Sequence, residues 1–384
     1  MSESGGSAAM YSLAVSDHSM IAHGFAGTIL GPAQQLHVHF LVPGPLDQRT
    51  GGYLFDRHVV EGMRACGRKV DVVELPGCFP AADAVTRKDC EASLDRLPDA
   101  AVAVVDGLAL AGFARCLRRH ARRLRIVGFV HHPLALETGL RPVEAARYAA
   151  LEARLWPLLR GVICPSAATA RAIETAGVDA QRIAVAPPGT ARPAAAIRRS
   201  AGATVRLLAV GTLTARKGHA LLIEALAQLR DAAWTLVCAG SLERDPQATT
   251  RVRAAVAAHG LTDRVRLAGE LSSPQLAREY VAADVFVLPS FHEGYGMAFA
   301  EALVHGLPIV ATTAGAIPDT VPAKAALFVP PGDVNALRAA LARAIHDERL
   351  RARLAAGAAE AGAALPSWPQ AVAHWAAALD RLAA

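Results

Sequence analysis

The chain has 384 residues and a formal net charge of +6; it is 53% hydrophobic and only 19% charged, which excludes a disordered polymer and leaves enough apolar residues for two sizeable cores. Its six cysteines, Cys66, Cys78, Cys90, Cys116, Cys164 and Cys238, contain no C-x-x-C pair and sit among apolar neighbours, a pattern of reduced core thiols that argues against a disulfide framework or zinc site and for a cytoplasmic compartment. No secretory leader is expected from the opening residues, and no charge-free apolar run reaches the ~20 residues of a membrane helix.

Residues 1–35 read as a flexible N-terminal extension. From residue 36 short apolar runs alternate with helical stretches: LHVHFLVPG (36–44), then a helix over 51–67, then KVDVVELPG (69–77), AAVAVVDG (100–107), RIVGFVHHP (125–133) and GVIC running into a helix at 161–177. A proline- and arginine-rich segment, 187–203, interrupts the alternation. It resumes with VRLLAV (205–210), WTLVCAG (234–240), RVRLAG (264–269), DVFVLPS (284–290), PIVATT (308–313) and ALFVPPG (326–332), all but PIVATT followed by a helical pattern. Continuous apolar strands followed by amphipathic helices mean parallel strands covered on both faces, so the expected fold is α/β with two Rossmann-like doubly wound sheets. The expected division is a first domain over 36–192, a linker over 193–203, a second domain over 204–365 and a C-terminal helix over 366–384 that crosses back to the first domain.

In such sheets a ligand lies beyond the carboxyl ends of the strands, so the loops after the strands carry the chemistry. After the first strand, Gly51 and Gly52 let backbone approach a ligand at a helix N-terminus. After RIVGFV come two imidazoles, His131 and His132, of which His131 fits the cleft edge best and His132 is the alternative. Adjacent strand residues point to opposite faces, which weakens a metal reading of this pair. His37 and His39 share a face, but no third ligand is evident in the sequence, and no metal site is expected. VGTLTARKG (210–218) delivers Arg216 and Lys217 beside a helix N-terminus, with Gly211 at the strand end: an anion site by construction. FHEGYGMAFAE (291–301) places Glu293 just before a helix and Glu301 one turn inside it, with Gly294, Tyr295, Gly296 and Met297 between. Glu301 is badly placed as a proton donor beside a phosphate and better placed to accept hydrogen bonds from a ribose diol.

The motif EGYGMAFAE, with RKG before it and TTAGAIPD and VPPGD after it, resembles the E-x7-E signature of glycosyltransferase family 4, retaining nucleotide-sugar transferases of GT-B fold, over nearly the whole chain from residue 36. The resemblance implies that Glu293 contacts hydroxyls of the transferred sugar, Glu301 holds the nucleotide ribose, Lys217 binds the donor diphosphate and His131 reaches the donor sugar; G-G turns such as Gly51-Gly52 approach donor phosphates or acceptor. Gly211 and Gly240 complete the expected donor site. Two positions depart from the family pattern. Thr212 stands where many members carry a phosphate-binding arginine, a role expected to pass to Arg216, and Asp319 stands where glutamate is more common.

The implied activity is retaining transfer of a sugar from a nucleoside diphosphate sugar, most often a UDP type, to an acceptor hydroxyl, without a metal or other cofactor; the sequence has no D-x-D tripeptide. Alternatives are a nucleotide-sugar epimerase of the same fold and a catalytically silent sugar-nucleotide binder. A dehydrogenase is disfavoured because no G-x-G-x-x-G follows a strand. Arginines 115, 118, 119, 122, 123 and 125 read as one basic helix, either solvated or a peripheral contact to the inner, anionic face of a membrane. With aromatics at 5% and none interleaving that cluster, nucleic acid is not an expected partner.

Overall fold

The computed structural model describes residues 36–193 and 202–384. The expected N-terminal extension, and most of the expected linker, lie outside the described residues.

Each half builds one six-stranded sheet, and every strand pairing is parallel. In the first half β1 (Val38–Pro43), β2 (Val70–Leu75), β3 (Val102–Asp106), β4 (Arg125–Phe129), β5 (Gly161–Cys164) and β6 (Ile183–Val185) lie in the order β2-β1-β3-β4-β5-β6. The helices of this half are α1 (Gly51–Ala65), α2 (Ala84–Asp95), the single turn α3 (Leu117–His120), α4 (Pro142–Leu155) and α5 (Ala167–Thr175). The second sheet runs β12-β11-β10-β7-β8-β9, from β7 (Val205–Val210), β8 (Trp234–Ala239), β9 (Val265–Gly269), β10 (Val285–Leu288), β11 (Ile309–Thr312) and β12 (Ala326–Val329). Its helices are α6 (His219–Ala227), α7 (Pro246–Ala258), α8 (Ser273–Ala282), α9 (Met297–Val304), the short α10 (Ile317–Thr320), α11 (Val334–His346) and α12 (Glu348–Ala364). This is the GT-B architecture, two facing Rossmann-like sheets.

The central strands are largely apolar because helices cover both faces: β1 and β10 are buried at every residue. The chain crosses between the halves again after α12, where Thr190 N–H donates to Pro366 O at 2.9 Å and Gly189 lies against the Trp368 backbone. The last helix, α13 (Trp368–Ala383), then packs against the first sheet. Trp375 is fully buried there, with its ring 6.0 Å from Phe40 and 5.3 Å from Phe129, and Arg68 grips Asp380 through two hydrogen bonds of 2.6 Å.

One expectation needs correction. Residues 115–125 do not form a basic helix: only Leu117–His120 is helical, and Arg125 already belongs to β4. Arg119 pairs with Glu91 and Asp95, and Arg123 pairs with Asp99 and the Leu97 carbonyl. The cluster is broken because its residues must turn from α3 into a buried strand within a few positions, and α2 supplies carboxylates beside it. Among the described residues no helix is long and apolar enough to cross a membrane.

Candidate active site

Several helices that follow a strand carry a side-chain cap: Asp83 on α2, Ser166 on α5, Asp245 on α7 and Asp333 on α11 each accept a backbone N–H. The three that open at the cleft do not. Thr50 before α1, Gly218 before α6 and Gly296 before α9 provide no side-chain cap, and no acidic residue lies in the first turn of any of the three. Helix starts left open in this way present free N–H donors and positive dipole ends to an anion, worth about 0.3–1 kcal/mol each. Two of them converge from opposite domains: a Cβ on Gly51 would lie 3.8 Å from the Met297 sulfur.

The wall from the second domain is built on the β7 and β10 loops. Gly218 sits in the left-handed region at φ 70°, and a Cβ there would lie 2.3 Å from Pro289 O, so only glycine lets the RKG turn press against the β10 loop. That contact brings Lys217 Nζ to 2.7 Å from Glu293 Oε1, which also accepts from Ser290 Oγ at 2.7 Å. Arg216 donates to His292 O at 2.9 Å, lies 3.4 Å from Glu293 Oε2, and reaches across the cleft to Glu137 Oε1 at 3.2 Å. Glu293 is 5% exposed. Burial alone would raise its pKa, but the Lys217 and Arg216 charges override this and hold it at about 2. Burial likewise lowers the Lys217 ammonium, opposed by Glu293. Gly211 lies under the Lys217 stem, and Gly240 stands against the Gly211 carbonyl at the next strand end.

Glu301 lies one turn into α9, where Tyr280 from α8 donates to its Oε2 at 2.7 Å. Burial raises the Glu301 pKa while the tyrosine bond opposes it. Tyr295 is buried, and its carbonyl accepts from Thr320 Oγ1 at 2.6 Å.

The wall from the first domain centres on His131. Its Nε2 lies 2.9 Å from Asp56 Oδ1, on α1, and 3.3 Å from Asp106 Oδ2, at the end of β3. Burial alone would lower the imidazole's pKa, but the Asp56 carboxylate and the bonds to both aspartates raise it to about 10. His132 points elsewhere, to Glu137 at 3.1 Å. Across the cleft the two halves touch at this point: a Cβ on Gly294 would lie 2.0 Å from His131 O, so only a glycine allows this approach, and Thr169 Oγ1 donates to Gly294 O at 3.1 Å.

The structure thus gathers Gly51, Gly52, His131, Arg216, Lys217, Glu293, Gly294 and Met297 around one cleft. Asp319 faces the first domain, accepting from Ala168 N at 3.0 Å at the start of α5 and pairing with Arg171. Sequence reasoning did not single out Asp56, Asp106, Glu137, Ser290 and Tyr280; the weak signal was an aspartate at the end of an otherwise apolar strand for Asp106, and a polar residue on the buried face of α1 for Asp56. His37 and His39 do meet a third group, Asp71, with His37 Nε2 at 2.6 Å from its Oδ2 and His39 Nδ1 at 3.8 Å. That contact is an exposed hydrogen bond at the opposite ends of the strands from the cleft.

Comparison with known proteins agrees with this architecture. Residues 34–191 match the model of glycosyltransferase family 4, and residues 204–347 match that of the glycosyl transferases group 1. The chain belongs to this glycosyltransferase family. Mannosylfructose-phosphate synthase of Agrobacterium fabrum is 33% identical over 169 residues, 42% of this chain and 37% of that protein, so the match spans well under half of that relative's length. Sucrose-phosphate synthase from Thermosynechococcus elongatus superposes with a TM-score of 0.75 at 21% identity, over 88% of this chain and 97% of that one. Anabaena HepE in complex with UDP-glucose superposes at 0.70, 18% identical, over 90% and 99% of the two chains.

Proposed function

We propose that this protein transfers a sugar from a nucleoside diphosphate sugar to an acceptor hydroxyl, with retention of anomeric configuration and without a divalent ion. The observation that carries this reading is the convergence of two uncapped helix starts, α1 and α9, on the cleft that also holds Arg216 and Lys217. Open N–H groups and two cations form a binding place for a diphosphate and stabilise the charge it gains on departure, where one preorganised donor contributes about 3–4 kcal/mol. The two cations supplied by the chain are what supports metal independence in this reading.

In this reading the donor lies on the second domain. Glu301, oriented by Tyr280, accepts the ribose hydroxyls, and Glu293 accepts hydroxyls of the transferred sugar. His131 faces that sugar from the first domain, and the acceptor enters beside α1. Charge builds on the leaving diphosphate as the glycosidic bond breaks, and the acceptor hydroxyl attacks from the same face, giving up its proton to the departing diphosphate oxygen. Anabaena HepE, of the same fold, holds UDP-glucose, which supports a UDP-type hexosyl donor here.

Calorimetric titration with UDP, GDP and dTDP in the presence of EDTA tests the donor site on the parent protein and on Lys217→Ala and Glu301→Ala. One nucleotide should bind to the parent and weaken at least tenfold in both variants. Binding of none, or binding indifferent to both substitutions, overturns the reading, and binding with no turnover of any sugar nucleotide favours a silent binder. Proton NMR of the anomeric signal in the product decides retention.

A further inference from the structure

His131 is gripped on every side but one. Its Nε2–H is shared between Asp56 Oδ1 at 2.9 Å and Asp106 Oδ2 at 3.3 Å. Phe129 packs 4.5 Å from its ring and Phe55 5.9 Å, and a Cβ on Gly52 would come within 3.2 Å of its Cδ2. Its Nδ1 has no partner among the described residues and is not among the buried polar atoms left without one, so the 20% of the side chain that is exposed includes this edge. The two carboxylates have few other duties. Asp106 accepts from Leu108 N–H at 2.7 Å through its other oxygen, while Asp56 is fully buried and its second oxygen has no partner among the described residues. Burial pushes the Asp56 carboxyl up to about 7, the His131 charge opposing this and the neighbouring Asp106 adding to it; a fully buried carboxylate is costly to keep in a fold, and what this one does is hold one imidazole.

We propose that Asp56 and Asp106 are paired positioning residues that keep His131 as an imidazolium and present its Nδ1–H to the cleft as a fixed cationic hydrogen-bond donor. The ligand group it suits is an electron-rich oxygen of the donor, a sugar hydroxyl or phosphate oxygen. The same arrangement bars His131 from acting as a base toward the acceptor, because its lone pair is protonated. The two carboxylates come from different elements, so ring position and charge are both set: Asp56 from α1 fixes the ring along the helix, and Asp106 from β3 fixes it along the sheet. The other titratable groups facing this cluster are Tyr53 on α1, whose hydroxyl donates to Pro43 O, and Arg244, which lies near Tyr53 across the cleft.

The proposal rests on the donor-site reading above for the identity of the oxygen, but not for the state of the imidazole, and the test separates the two. Nitrogen-15 NMR titration of the imidazoles from pH 5 to 10.5, with the His131 signals assigned from a His131→Gln spectrum, should show His131 doubly protonated beyond pH 8 in the parent. Its midpoint should fall by at least one pH unit in Asp106→Asn and by two or more in Asp56→Asn. The kcat for any sugar nucleotide turned over should drop 10- to 100-fold in either variant with KM for the donor within threefold. Each variant should also lose rate as pH rises through its new midpoint, whereas the parent stays level. A neutral His131 at pH 7 in the parent, an unmoved midpoint in both variants, or a rate that rises as His131 deprotonates would overturn it. If Asp56→Asn does not fold, Asp106→Asn decides on the same readouts. Failure to bind any nucleotide with a high His131 midpoint would sink the donor reading and leave the imidazolium standing.

Discussion

Lys217 Nζ rests 2.7 Å from Glu293 Oε1, so the cation expected to meet the diphosphate and the carboxylate expected to meet the sugar are held by each other, 76 residues apart in the chain. An ion pair this deeply placed adds little net stability, but it sets both side chains in one geometry, and breaking it exposes the other partner to the full cost of burial. Lys217→Ala is therefore expected to destabilise the protein by about 3 kcal/mol as well as to abolish diphosphate affinity, whereas Lys217→Arg keeps the fold within about 1 kcal/mol. Urea unfolding at pH 7 checks the first effect, and calorimetry with the bound nucleotide checks the second.

The same pair gives a pH dependence. Glu293 has its pKa depressed from 4.5 to about 2 in the folded protein, so the stability it contributes is fully present above 4.5 and is lost as pH falls through about 2. Glu137, bonded to His132 and near Arg216, is depressed to the same value and acts in the same window. Denaturation midpoints should fall between about pH 4.5 and 2 in the parent and fall less steeply in Glu293→Gln. A parallel fall in the two proteins would show that the acid sensitivity lies elsewhere.

Tyr280 offers a narrower test of the ribose assignment. Its hydroxyl orients Glu301 at 2.7 Å, and removing one neutral donor to a charged acceptor costs about 1.5 kcal/mol. Tyr280→Phe should weaken nucleoside diphosphate binding roughly tenfold, and the loss for the corresponding 2′-deoxynucleotide should be smaller in Glu301→Ala than in the parent. Equal discrimination between the two nucleotides in parent and Glu301→Ala would place the ribose away from Glu301.

Gly294 marks where the halves meet. A methyl group there would lie 2.0 Å from His131 O, too close for any side chain, so Gly294→Ala must push the β10 loop away from the first domain. The donor site on the second domain survives such a shift, while the reacting centre between the domains does not. We expect kcat to fall at least tenfold with nucleotide affinity within threefold, read by steady-state kinetics beside calorimetry.

Trp375 ties the last helix to the site. It is fully buried against Phe40 and Phe129, and Phe129 in turn packs on His131; its indole nitrogen is buried without a partner among the described residues. Trp375→Ala should cost about 3–5 kcal/mol by leaving a cavity, whereas Trp375→Phe removes the unpaired N–H along with some volume and should cost much less. Thermal unfolding of both variants separates packing from polarity.

The sequence by itself determined what is local. A parallel strand buried on both faces is apolar along most of its length, and the chain shows this as runs such as VFVL; a tight turn at positive φ demands a glycine such as Gly218; and two glutamates eight positions apart around a helix start keep their relation wherever the helix lies. The basic run at 115–125 misled because its spacing fits a helix, while the buried strand that begins at Arg125 overrides that preference. Only the tertiary structure decided which distant groups meet. Asp56, Asp106 and His131 belong to a helix, a strand end and a loop, and nothing in their spacing links them. They converge because parallel strands place all their carboxyl ends at one edge, and α1 starts there, so the charge of His131 is set by contacts that the chain order does not contain.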